Sequence, residues 1–194
     1  MDSSDKILIN AHLQGDPMAF AELVRRYGDS VLGYLMRMSG SREQAEDFFQ
    51  ETFKRVHEKA HTLRGNSFKP WLFTIATRVA IDGLRKRLQF VSLNQRLDCA
   101  EGHCEQLSAV AVADSSFEPS QQALRAEQKE QVRLALESLP EKQRATLVLA
   151  YFQQLSYREV AQVLGCSIGT VKTQMFRAIK TLSQRLPDVS EEIK

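Results

Sequence analysis

The chain has 194 residues, enough for one large domain or two small ones. With 43% hydrophobic and 26% charged residues it has the composition of a folded globular protein, which excludes a disordered chain. Net charge is only +2, but residues 1–97 hold 15 Lys/Arg against 11 Asp/Glu, residues 98–127 hold 1 against 6, and residues 128–194 hold 10 against 7. Two mildly basic blocks thus flank an acidic one, a pattern that a polyanion contacted by both ends produces and that a merely solvated surface produces too.

No apolar run is long enough to cross a bilayer, and Met1-Asp2-Ser3-Ser4-Asp5 lacks the basic and apolar regions of a secretory leader. Three cysteines, Cys99, Cys104 and Cys166, are an odd number in a chain large enough to need no staples. A reduced, cytoplasmic setting is the expectation.

The patterned segments read as helix, so the predicted fold class is all-α. Asp16-Pro17 opens the first predicted helix with a capping carboxylate and a proline. Phe20, Val24, Tyr27, Val31, Tyr34 and Met38 then form one apolar stripe. Gly40 breaks the run, and Ser41-Arg42-Glu43-Gln44 has the form of a capping box. The helix it starts buries Ala45, Phe48, Phe49, Thr52, Phe53, Val56 and Ala60. A third helix begins near Phe68-Lys69-Pro70-Trp71, with Trp71, Leu72, Ile75, Val79 and Leu84 facing inward. Periodicity fails from about Phe90 to Gln122, an acidic stretch read as an interdomain linker. The predicted division is residues 1–90, a linker over 91–124, and residues 125–194.

Helical pattern resumes at Ala123 and stops at Pro140. Glu141 to Gln153 is expected to form one helix. Ser156-Tyr157-Arg158-Glu159 is a second capping box and starts a short helix, and Gly165 suits its left-handed end. Ser167 caps a last helix expected to bury Ile168, Val171, Met175, Ala178, Ile179 and Leu182. Two helices joined by a short glycine-containing turn make a helix-turn-helix. The outward face of the second carries Thr170, Lys172, Thr173, Phe176, Arg177 and Lys180. In a major groove, Phe176 can pack on a thymine methyl, Arg177 can bond guanine, and the lysines can neutralise phosphate; the alternative is an amphipathic packing helix with a solvated face.

The run from Leu155 to Ala161 and from Gly169 to Ala178 resembles region 4 of extracytoplasmic-function (ECF) sigma factors. A looser form of that motif also occurs in response regulators. Asp47-Phe48-Phe49-Gln50-Glu51-Thr52-Phe53 is similar to the sigma region 2 motif. Asp47, Gln50, Glu51 and Lys54 share one helical face, which suits a polar partner contact or a merely solvated surface. Residues 68–82 with Arg85-Lys86-Arg87 resemble the adjoining part of region 2, with Arg78 where the family usually has asparagine.

The resemblance implies two small helical domains joined by a flexible linker, without enzymatic activity or cofactor. It implies core RNA polymerase as partner, through the β′ clamp helices and the β flap, with Asp47, Gln50, Glu51 and Lys54 at the clamp. It implies −10 DNA contacts from Arg64, Asn66, Lys69, Thr74, Thr77, Arg78, Arg85 and Lys86. The −35 contacts fall to Ser167, Thr170, Lys172, Thr173, Phe176, Arg177 and Lys180. An anti-sigma factor is the implied regulator. Rival readings are a response-regulator-like factor that does not bind polymerase, and a sigma mimic that only sequesters an inhibitor. His57-Glu58-Lys59-Ala60-His61 also matches the HExxH pattern of zinc peptidases, but a third ligand is wanting nearby. Cys99, His103 and Cys104 are too few and too close for a closed zinc site.

Overall fold

The computed structural model describes residues 3–63, 67–97 and 119–185, and within them only helices and their connecting turns occur. Arg64, Asn66, Cys99, His103 and Cys104 lie outside the described residues.

The first helix, α1 (Ser3–Leu13), precedes every element expected from the sequence. It docks on α2 (Pro17–Ser39) through Asp5, only 5% exposed, which accepts from the Arg26 guanidinium at 2.6 Å and the Tyr27 hydroxyl at 2.5 Å. Asp16 caps α2 by accepting from the Met18 amide at 2.9 Å, and Gly40 ends it at φ 72°, a backbone region that favours glycine. Leu23 and Leu35 join Val31, Tyr34 and Met38 in the core, while Phe20, Val24 and Tyr27 are only half-buried. The buried face is thus wider than the predicted stripe, and α1 packs on α2 beside it.

Helix α3 (Arg42–Lys59) forms half of its expected capping box. Ser41 Oγ accepts from the Gln44 amide, but the Ser41 amide donates to Ser39 Oγ at 3.3 Å rather than to Gln44. Phe53 and Val56 are buried; Phe48 and Phe49 are half-buried against the same core. A single 3-10 turn, Ala60–Thr62, follows. Helix α4 (Phe68–Leu97) buries Phe68, Leu72, Phe73, Ala76, Val79 and Ala80. It lies so close to α3 that a Cβ at Gly83 would sit 2.3 Å from the Phe48 ring.

In the second half, α5 (Pro119–Glu137) leads into α6 (Glu141–Leu147). The single helix expected over 141–153 is interrupted: Val148–Phe152 adopts a π turn, and Gln154 has a positive φ of 55°. Helix α7 (Tyr157–Leu164) starts on a complete capping box, with Ser156 N donating to Glu159 Oε2 at 2.8 Å and Glu159 N to Ser156 Oγ at 3.3 Å. Gly165 at φ 63° turns the chain into α8 (Ile168–Arg185). Ile168 and Ile179, expected inside, are 44% and 41% exposed.

The two halves pack on each other. One apolar core joins Leu35, Met38, Phe73 and Ala80 to Leu149, Leu155, Val160 and Val163, and α4 lies against α7. Arg144, 8% exposed, donates to the carbonyls of Met38, Glu137 and Leu139. It thereby caps the carbonyl end of α2, where a cation meets the negative pole of the helix. The Arg37 guanidinium stacks 4.1 Å from the Phe152 ring centre, and Gln153 Nε2 donates to Ser30 O at 3.1 Å.

Candidate nucleic-acid and partner interfaces

Helix α8 divides cleanly into two faces. Val171, Met175 and Ala178 are buried, while Thr170, Lys172, Thr173, Phe176, Arg177 and Lys180 are exposed. Phe176 is 70% exposed, an apolar ring left in water among cations. Ser167 Oγ accepts from the Thr170 amide at 3.1 Å and lies 2.9 Å from the Thr170 hydroxyl. Its first task is therefore to cap α8. Thr173 donates to Gly169 O at 3.0 Å but stays on the open face.

On α3, Asp47, Gln50 and Lys54 are exposed and Glu51 is half-buried. Glu51 Oε1 accepts from Arg55 Nε at 2.6 Å. The half-buried Phe48 and Phe49 turn toward the core, so the polar stripe and the apolar one part as their spacing requires.

On α4 the expected residues separate. Arg78, Arg85 and Lys86 are exposed, and Arg85 lies 3.5 Å from Glu141. Thr74 is half-buried, its hydroxyl donating to Pro70 O at 2.8 Å. Lys69 is turned to the second half, its Nζ donating to Gln153 O at 2.7 Å. Thr77 does not reach the surface at all. It is 3% exposed, with its Oγ1 2.8 Å from the buried Tyr34 hydroxyl, so the expectation of a DNA contact there is corrected to a packing role. Burial pushes the Tyr34 phenol pKa well above the ordinary tyrosine value.

Between α3 and α4 lies a cavity of about 230 Å³ lined by Arg55, Lys59, Thr62, Trp71, Thr74 and Arg78. Three cations and an indole around one opening suit a phosphate and a flat aromatic group. Sequence reading missed Arg55 and Lys59; Trp71, expected inside, is half-buried against the core and also reaches the opening. Arg55 and Lys59 are four apart on α3, a spacing that shares one face. His57 and His61 of the HExxH pattern fall on different elements, α3 and the 3-10 turn. His57 meets His12 in a tilted contact, 4.9 Å between ring centres. Burial first, then the His57 charge, lowers the His12 pKa. Among the described residues, no group of three or more His, Cys, Asp or Glu side chains is placed to hold a metal ion, and no helix is long and apolar enough to cross a membrane.

A helix-turn-helix with an exposed basic face, packed on a helical bundle that carries a polar stripe, is the architecture of a DNA-binding protein with a second interaction module. Comparison with known proteins says which. The sigma-70 region 2 family matches residues 23–89, and sigma-70 region 4 matches residues 129–182. The ECF RNA polymerase sigma factor SigW of Bacillus subtilis is 32% identical over 177 residues, spanning 91% of this chain and 93% of that one. The ECF sigma factor RpoE of Cereibacter sphaeroides is 35% identical over 175 residues, 88% of each chain. The RNA polymerase sigma-H factor of Pseudomonas aeruginosa is 30% identical, covering 97% of this chain and 96% of the other. In fold, the chain is similar to CnrH in its complex with the cytosolic domain of CnrY, at a TM-score of 0.69 and 24% identity over 95% of this chain and 98% of that one. RpoE of Bartonella quintana, solved with the anti-sigma factor NepR, gives 0.69 and 24% over 87% and 97%. The chain belongs to the sigma-70 family, in its ECF group. It is a sigma factor, the class of subunit that directs RNA polymerase to promoters.

Proposed function

We propose that the two halves divide this task between identifiable surfaces. The α3 stripe of Asp47, Gln50, Glu51 and Lys54 meets core RNA polymerase at the β′ clamp helices, and the second half meets the β flap. The cavity between α3 and α4, with Thr74 and Arg78 in its lining, receives the −10 element, and Arg85 and Lys86 further along α4 and Lys69 near its start extend the surface. Arg64 and Asn66 border that surface in the sequence. Thr170, Lys172, Thr173, Phe176, Arg177 and Lys180 read the −35 element, with Ser167 holding the helix start. The protein works in the cytoplasm as a binding factor rather than an enzyme, and an anti-sigma factor holds it inactive by covering these surfaces.

One observation carries the reading. Phe176 stands 70% exposed on α8 with Thr173, Arg177 and Lys180 around it, an arrangement costly in water and useful in a major groove. The partner surface is tested by Asp47→Arg, which places a cation on an exposed acidic stripe. Binding to purified core polymerase should weaken at least about tenfold by the like-charge penalty, with helical content unchanged by circular dichroism. Unaltered affinity would remove the α3 stripe from the polymerase interface.

A further inference from the structure

One ion pair on α3 joins the two surfaces assigned above. Glu51 stands in the polar stripe with Asp47 and Gln50, and its Oε1 accepts from Arg55 Nε at 2.6 Å. Arg55 also lines the cavity beside Trp71, Thr74 and Arg78. The other two cations of that cavity, Lys59 and Arg78, have no ion pair among the described residues. The cation whose charge is masked is therefore the one whose carboxylate partner belongs to the other interface.

The pair is also easy to exchange. Its side chains are 34% and 41% exposed, and an ion pair so open to water contributes little to stability. A guanidinium keeps several donors pointing in different directions, so Arg55 can turn to a phosphate without moving its helix.

We propose that Arg55 is an additional promoter-binding residue, restrained by Glu51 in the free protein and released toward nucleic acid when a cationic group of the polymerase takes Glu51. This rests on the assignment of the α3 stripe to polymerase and of the cavity to DNA.

Fluorescence anisotropy of the full chain with a labelled single-stranded DNA oligonucleotide, polymerase absent, tests it. Glu51→Gln should raise affinity about two- to fivefold, the scale of one exposed charge contact. A gain of binding is a result that a misfolded variant does not give. The double variant Glu51→Gln/Arg55→Gln should show no gain. Glu46→Gln is the control: Glu46 pairs with Arg42 at 2.8 Å on the same helix, so the variant changes charge equally and frees an arginine remote from the cavity. It should leave affinity unchanged. An equal gain in Glu46→Gln, a gain surviving loss of Arg55, or no gain in Glu51→Gln each overturns the proposal. The Asp47→Arg experiment stands apart from these outcomes, so failure of the polymerase assignment is recognisable separately.

Discussion

Thr77 and Arg78 are adjacent on α4 and live in opposite surroundings. Arg78 is exposed at the cavity; Thr77 is sealed beneath α2 with its hydroxyl on Tyr34. Thr77→Val keeps the shape and leaves a buried phenol unpaired, which should cost about 1–3 kcal/mol of stability. A lowered melting temperature, with DNA affinity per folded molecule unchanged, is the expected result; Arg78→Ala should do the reverse. On α8, Arg177→Ala should cost about 1–3 kcal/mol at one −35 base pair if it grips a base edge, measured on a set of single-substitution promoters. Equal weakening on every sequence would assign Arg177 to phosphate instead. The burial of Thr77 had a signal in the sequence: Phe73 and Ala80, four before and three after it, are both core residues. Threonine between arginine and alanine reads as a polar contact only if that periodicity is set aside. The cavity, by contrast, needs α3 and α4 side by side, and no spacing within either helix reveals it.

Among the elements, those with strong local chemistry were legible. The Asp16-Pro17 start of α2, the Ser156–Glu159 box and the Gly165 turn all stand where their residues put them. Each is a short-range bond between neighbours, so sequence suffices to read it. Ser156→Ala removes one half of that box and should lower stability by about 1 kcal/mol, checked by chemical denaturation. An unchanged midpoint would show that tertiary packing alone holds α7. What local reading lost has a different origin. Helix α1 is held by a buried carboxylate reaching an arginine and a tyrosine on α2, with no cap or clear stripe to announce it. The π turn over 148–152 falls where Phe152 meets Arg37, and Gln153 just after it bonds Ser30 and Lys69. Those partners are distant in sequence. Similarly, Ile168 and Ile179 fit the apolar spacing of α8 but are left partly uncovered by the described residues.

At the scale of the molecule, a helix-turn-helix and a helical bundle were expected as tethered modules, and the described residues show them sharing a core. The joint is polar at its edges: Arg144 on three carbonyls, Lys69 on Gln153, Arg85 near Glu141. Burial pulls the Arg144 pKa below the ordinary arginine value, yet its three acceptors compensate much of the lost hydration. In this packing the exposed face of α8 and the α3 stripe both stay open, while Lys69 is engaged across the joint. The central claim is that the assembled chain confers promoter choice on a polymerase, and run-off transcription tests it most directly. Purified protein is mixed with bacterial core enzyme, without inhibitor, on a library of randomised promoters. The account predicts transcripts enriched for a pair of short elements at fixed separation, lost when Phe176 and Arg177 are replaced. Transcription no different from that of the core enzyme alone would contradict it.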